Sequence, residues 1–269
     1  MSDGSLAGKV AIVWGGGGAI GGACARAFAR DGAQVFLAGR TATKLARVAQ
    51  DITAAGGRAD VATLDVFDAA AVHAHADRVA EVAGRIDILM NAVGIAHVQG
   101  KSFAETSLAE FEAPITANAR AQFVPAQAAA KHMIARRAGV ILTMTTPGGR
   151  ITGKGFLANG VFSAATEAFS RLLAAELGGF GIRTVCLRPD AIPDALTLSH
   201  SGEVFAGFAD KLGISIDDML AEHGRKSTLL GRLPTLREVA DTAAFVASDR
   251  AGAMTGGIVN LTCGSMADL

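Results

Sequence analysis

The sequence predicts a single α/β domain whose doubly wound parallel sheet has about seven strands, with helices on both faces. Three observations carry this. Short β-branched runs alternate with longer stretches of helical periodicity, the pattern left by right-handed βαβ crossovers. The first run, residues 10–14, is apolar at every position, as a strand covered on both faces must be. A glycine cluster then separates it from the first helical stretch.

The remaining elements follow in order. Ile20, Cys24, Ala27 and Phe28 recur at helical spacing, and residues 34–38 read as the second strand. A helix over 43–55, a strand over 59–64, a helix near 69–82 and a strand over 86–90 come next. A long helix spans about 108–136, expected to bend or restart at Pro125 because proline disrupts a helix interior. Residues 140–145 are the fifth strand. Phe162, Ala165, Phe169, Leu172, Leu173 and Leu177 mark a helical stripe before a sixth strand over 182–187. Residues 194–230 break the rhythm, being polar, rich in Gly and Ser, and only briefly helical, as a substrate lid would be. A helix near 237–247 and a strand over 257–261 close the domain, which spans residues 1–269 without repeat or linker.

Composition excludes several classes. The formal net charge is zero, so nucleic acid and anionic membranes are not expected partners. No apolar run reaches the length of a membrane-spanning helix. Cys24, Cys186 and Cys263 are odd in number and lack metal-ligand spacing, which predicts buried thiols, a reducing cytoplasmic compartment and no metal site. No secretory leader is visible in the polar first five residues.

The chemistry concentrates at the glycine cluster, Trp14-Gly15-Gly16-Gly17-Gly18-Ala19-Ile20-Gly21. Glycines after a buried strand permit a tight turn and close backbone approach, and the helix N-terminus offers N–H groups to a diphosphate. Gly15 and Gly21 match the first and last glycines of the short-chain dehydrogenase/reductase loop, with Ala19 at its middle glycine and Trp14 at its threonine. Asp65-Val66, Asn91-Ala92-Val93-Gly94, Asn118, residues 236–240 and residues 254–256 match further motifs in the same order. The chain therefore resembles that family over nearly its whole length. The resemblance implies a Rossmann fold, a nicotinamide dinucleotide and a homo-oligomer, dimer or tetramer. It also implies cofactor contacts from Gly15, Gly17, Gly18, Ile20, Gly21, Arg40, Asp65, Val66, Asn91, Ala92, Gly94 and Ile192. Gly39 stands where an acid would hold the ribose 2′-hydroxyl, and Arg40 follows it. This favours NADP over NAD.

The resemblance fails at the catalytic positions. The chain contains no tyrosine. In the family a Ser, a Tyr and a Lys one helical turn beyond the Tyr carry the proton chemistry. The ungapped stretch over 169–177 fixes the register, placing Thr146 at the serine, Asn159 at the tyrosine and Ser163 at the lysine. Of the four positions only Asn118 is retained. Lys154 and His97 are candidates for a displaced proton donor. After the sixth strand, Asp190 and Asp194 replace a Gly and a Thr beside the dinucleotide. A carboxylate about 6 Å from a phosphate oxygen would cost roughly 2–3 kcal/mol at an effective dielectric near 20, unless the acids turn to solvent, to Arg188 or to the lid. The expected function is an NADP(H)-binding oxidoreductase with a non-standard site, acting on an activated C=C or carbonyl of a small apolar molecule. The alternatives are a non-redox isomerase, dehydratase or cyclase, and a catalytically inactive nucleotide-binding or assembly partner.

Overall fold

A computed structural model describes residues 4–198 and 201–266. Among these, the strands in chain order are β1 (Val10–Trp14), β2 (Gln34–Gly39), β3 (Arg58–Thr63), β4 (Ile88–Asn91), β5 (Gly139–Met144), β6 (Ile182–Pro189) and β7 (Ile258–Leu261). They pair in parallel throughout, side by side in the order β3-β2-β1-β4-β5-β6-β7. The strand order reverses between β1 and β4, which opens a crevice at their carboxyl ends.

The period-two alternation of each strand sorts its side chains between two cores. Ala11, Val13, Val35, Leu37, Met90, Leu142 and Leu187 face α1 (Ala19–Arg30), α2 (Ala42–Ala54) and α8 (Leu236–Ala247). Ile12, Trp14, Phe36, Leu89 and Ile141 face α3 (Ala69–Ala83), α4 (Leu108–Arg136) and α5 (Leu157–Gly178). Each fully buried aliphatic side chain contributes about 1.5–3 kcal/mol. Both faces need such residues, which is why the strands read as unbroken apolar runs.

Three expectations are corrected. Residues 194–230 hold two full helices, α6 (Ser201–Leu212) and α7 (Ile216–Ser227), rather than brief helical patterns. Ser215 caps α7 by accepting from the Asp218 N–H, a local signal of the kind that starts helices. The long helix α4 does not restart at Pro125; it runs through both Pro114 and Pro125. Pro125 removes the donor that would reach the Ala121 carbonyl, and the Asn91 side chain donates to that oxygen instead at 2.6 Å. Finally, only Cys24 and Cys186 are buried, while Cys263 is half-buried. Burial pushes both buried thiols up to about 12.

Candidate functional site

One cavity of about 690 Å³ lies at the crevice. At its glycine-rich end, Gly15 has φ +73°, and a Cβ there would lie 2.4 Å from the Ala92 carbonyl oxygen. A Cβ on Gly21 would lie 2.3 Å from the Gly15 carbonyl oxygen. These two glycines hold the loop against β4 and against itself, leaving Gly17, Gly18 and Ile20 to line the cavity. The N-cap of α1 is Gly18, which places no side chain over the helix N-terminus. Ala19, at the family's middle glycine, has no positive φ, and it joins an apolar cluster with Ile192, Ala195 and Val239. Trp14 turns away from the loop into the second core, edge-on to His75 at 5.8 Å between ring centroids. Burial lowers the His75 pKa, with the Arg78 charge adding to the effect.

Arg40, Thr41 and Lys44 line the cavity beside Gly39, and Asp65, Val66, Ala92, Gly94 and Ile192 also line it. Asp65 accepts from the Phe67 N–H at 3.0 Å, which fixes its carboxylate in a tight turn. Asn91 and Gly21 are not among the lining residues. Asn91 is buried, donating to the Ala121 carbonyl and to Gln122 while accepting from the Val93 N–H at 3.4 Å. Its side chain shapes the Ala92–Gly94 loop from behind.

The four family catalytic positions converge. Thr146 follows β5, and its hydroxyl accepts from the Gly148 N–H at 3.1 Å. It donates to Asn159 Oδ1 at 3.2 Å and lies 2.9 Å from Ser163 Oγ. Since the threonine proton is committed to Asn159, Ser163 is the donor in that pair. Asn159 and Ser163 stand one turn apart on α5, so both reach the end of β5. Gly148 makes room for this, because a Cβ there would lie 1.8 Å from Asn159 Oδ1. Asn118 donates to the Phe162 carbonyl at 3.3 Å and to Thr166 at 2.9 Å, tying α4 to α5. Ser163 is fully buried, whereas Asn118, Thr146 and Asn159 line the cavity.

The two candidate proton donors separate. Lys154 is exposed and is not among the cavity-lining residues. His97 lines the cavity, its Nε2 3.2 Å from Asn159 Nδ2 and 2.9 Å from Gln99 Nε2. One turn past Ser163, Glu167 is buried and bridges fully buried Arg188 at 3.1 Å and exposed Arg150 at 3.0 Å.

The acids after β6 are both engaged elsewhere. Asp194 accepts from the Leu236 N–H at the start of α8. Asp190 accepts from the Ala191 N–H at 2.7 Å, from His223 of α7 at 3.2 Å and from Ser265. Burial pushes Asp190 upward, but these hydrogen bonds outweigh it and hold the carboxyl below its ordinary value. The same contact raises His223. Arg188 pairs with Glu167 rather than with either aspartate. Val204, Phe205 and Phe208 of α6 and Met219 and Leu220 of α7 also line the cavity.

A family model described as enoyl-(acyl carrier protein) reductase matches residues 17–265. The chain belongs to the short-chain dehydrogenase/reductase family. It is an oxidoreductase of that family, similar to a galactitol 2-dehydrogenase (L-tagatose-forming) of Cereibacter sphaeroides. The two are 33% identical over 258 residues, covering 94% of this chain and 93% of the relative. A (+)-borneol dehydrogenase 2 of Salvia officinalis is 28% identical over 253 residues, covering 93% and 87%. The fold matches the solved NAD+-bound xylitol dehydrogenase with a TM-score of 0.87 at 23% identity, over 96% of this chain and 99% of that one.

A short-chain dehydrogenase/reductase fold binds a nicotinamide dinucleotide, and the glycine cradle here fits one: the positions a Cβ would fill are the ones that bring backbone to the cavity. Sequence reasoning did not assign Lys44, Gln99 or Phe162 to the site; it singled out Asp190 and allowed it to turn to residues 194–230, without naming His223 or Ser265 as its partners. No motif marks these residues, and they meet only through the fold. Among the described residues, no group of three or more His, Cys, Asp or Glu is placed to hold a metal ion, and no helix is long and apolar enough to cross a membrane.

Proposed function

We propose that the protein is an NADP(H)-dependent dehydrogenase/reductase that interconverts an apolar secondary alcohol and its ketone. The observation that supports this is the graded lining of one cavity. Cationic Arg40 and Lys44 lie beside Gly39 at one end, polar Thr146 and Asn159 in the middle, and the apolar lid at the other. Two cations without a neighbouring acid at the strand end suit a 2′-phosphate better than a bare ribose. The dinucleotide, when bound, supplies or accepts a hydride at its nicotinamide.

The chain's own residues bind and orient the substrate. Thr146 holds Asn159 Oδ1, which turns the Asn159 NH₂ toward the cavity. That amide donates a hydrogen bond to the substrate oxygen where the family uses a phenol. Phe156, Phe162 and the lid residues Phe205 and Phe208 enclose the apolar body of the substrate and exclude water. Relatives named for galactitol and for (+)-borneol act on different alcohols, and this lid favours an apolar one. Gly17, Gly18, Ile20, Asp65, Val66, Ala92, Gly94 and Ile192 complete the dinucleotide contacts, while Gly21 and Asn91 support them from behind.

The same reading makes the protein a homo-oligomer, with exposed Leu108 and Phe123 of α4 and Leu172 of α5 offered to a second copy. Its free thiols suit the cytoplasm. The experiment is a titration followed by Trp14, the only tryptophan, whose ring is buried next to the glycine loop, within energy-transfer range of a cofactor bound there. NADPH is expected to quench its emission at lower concentration than NADH. Equal curves would remove the NADP preference, and two flat curves would favour an inactive assembly partner.

A further inference from the structure

The family's four catalytic positions, here Asn118, Thr146, Asn159 and Ser163, hold no side chain that titrates near neutral pH, yet alcohol–ketone interconversion moves a proton. We propose that His97 exchanges that proton with the substrate oxygen, and that Asn159 both orients His97 and holds the oxygen. This rests on the alcohol–ketone reading above.

Four features of the geometry support it. His97 Nδ1 lies 2.8 Å from the Ile95 carbonyl, an acceptor only, so the ring proton sits on Nδ1 and the lone pair on Nε2. That Nε2 lies 3.2 Å from Asn159 Nδ2, at the position the tyrosine would occupy. The network runs one way: Gly148 N–H donates to Thr146, Thr146 donates to Asn159 Oδ1, and Asn159 is left with its NH₂ toward Nε2. Phe162 stands edge-on to the imidazole at 5.1 Å between centroids and fixes the ring plane.

The second N–H of Asn159 is directed to a substrate oxygen beside Nε2, where Gln99 Nε2 now sits at 2.9 Å. A bound alcohol would replace both contacts at Nε2, its O–H donating to Nε2 and its oxygen accepting the Asn159 N–H, so the lone pair is free to take the proton. In oxidation, neutral Nε2 would take the hydroxyl proton while the carbinol C–H electron pair becomes the hydride that a bound nicotinamide would accept, leaving C=O. In reduction the imidazolium returns the proton to the carbonyl oxygen as hydride reaches the carbon. Among the described residues, the other charged or titratable groups lining the cavity are Arg40, Lys44, Asp65, Asp190 and His223. Of these, Asp190 and His223 satisfy each other beneath the lid. From α5 the residues meeting the ring, Asn159 and Phe162, carry no charge.

The test uses the full chain with NADP+ and a panel of apolar secondary alcohols, cyclohexanol and 1-phenylethanol among them. The rate of oxidation should rise with pH through one inflection in the imidazole range, and the rate of reduction should fall through it. His97→Gln should lower kcat by about 100-fold to 10,000-fold, the range of general acid–base catalysis. It should also abolish the inflection while leaving the NADP+ dissociation constant within about twofold, a readout that also certifies folding. His223→Gln should retain the inflection. In an NMR titration of the NADP+ complex, Asn159→Asp should raise the His97 pKa, because a carboxylate would then face the ring. His97→Gln with unchanged kcat and pH profile would overturn His97 while leaving the oxidoreductase reading intact. Wild-type protein that binds NADP+ but oxidises no member of the panel would overturn both.

Discussion

The β1–α1 loop and the first turns of α5 line the same cavity, yet they shape it by opposite means. The loop works by what its residues lack. Gly15 and Gly21 leave space that a Cβ would take from the Ala92 and Gly15 carbonyls, and what the loop presents to the cavity is backbone. Trp14 and Ala19, both unusual for the family, change nothing essential because their side chains pack into the two apolar clusters on either side. The α5 end works by what its residues carry. There Thr146, Asn159 and Ser163 stand at the family positions with different groups, joined into a directed hydrogen-bond chain that reaches His97. A backbone site tolerates change in neighbouring side chains, whereas a side-chain site must be rebuilt as a network.

The largest expected effect breaks the α5 end. Glu167→Ala would remove the carboxylate that bridges fully buried Arg188 and Arg150, and untie the loop that carries Gly148 and Arg150 from α5. Stability is expected to fall by about 3–5 kcal/mol, read from urea unfolding. An unchanged midpoint would mean that Arg188 is compensated by other groups.

Next comes the loop. Gly15→Ala adds a methyl 2.4 Å from the Ala92 oxygen at a φ of +73°. NADPH affinity measured by Trp14 quenching is expected to fall by about 100-fold or more, equivalent to ~2.7 kcal/mol. Wild-type affinity in this variant would show that the diphosphate lies elsewhere.

The smallest effect concerns the contact between His223 of α7 and Asp190. The folded state raises His223, so its contribution is full below the ordinary histidine value of 6.5 and is lost as pH rises through the raised value. It lowers Asp190, whose contribution is full above 3.8 and is lost as pH falls through the lowered value. Hydrogen exchange on α7 should therefore be slowest between about pH 4 and 6.5, after correction for intrinsic rates. His223→Gln should remove that window.

Much of the frame was legible because it depends on short-range pattern. Val10–Trp14 is apolar throughout because both faces are covered, and every predicted strand is present within a few residues. The fourth begins at Ile88 rather than 86 because Asp87 uses its side chain, accepting the Val10 N–H at 2.9 Å. The glycine loop was equally legible, since its function lies in missing atoms. The register of Thr146, Asn159 and Ser163 could also be counted.

Their connection was not legible. Asn91 sits 34 positions before Pro125, and only the fold brings it to the carbonyl that the proline frees. His97 and Asn159 are 62 positions apart. The fate of Asp190 depends on His223, 33 positions on, in a helix that carries no motif. Polar networks assembled from distant elements leave no periodic trace.

The account stands on hydride transfer by a site without tyrosine. The most direct measurement is a single-turnover incubation of the unmodified protein with 4-deuterated NADPH, both C4 positions labelled, and acetophenone or another apolar ketone. Mass spectrometry of the resulting alcohol is the readout. One deuterium on the carbinol carbon is the predicted result. Unlabelled ketone recovered from protein that has bound the cofactor would contradict it.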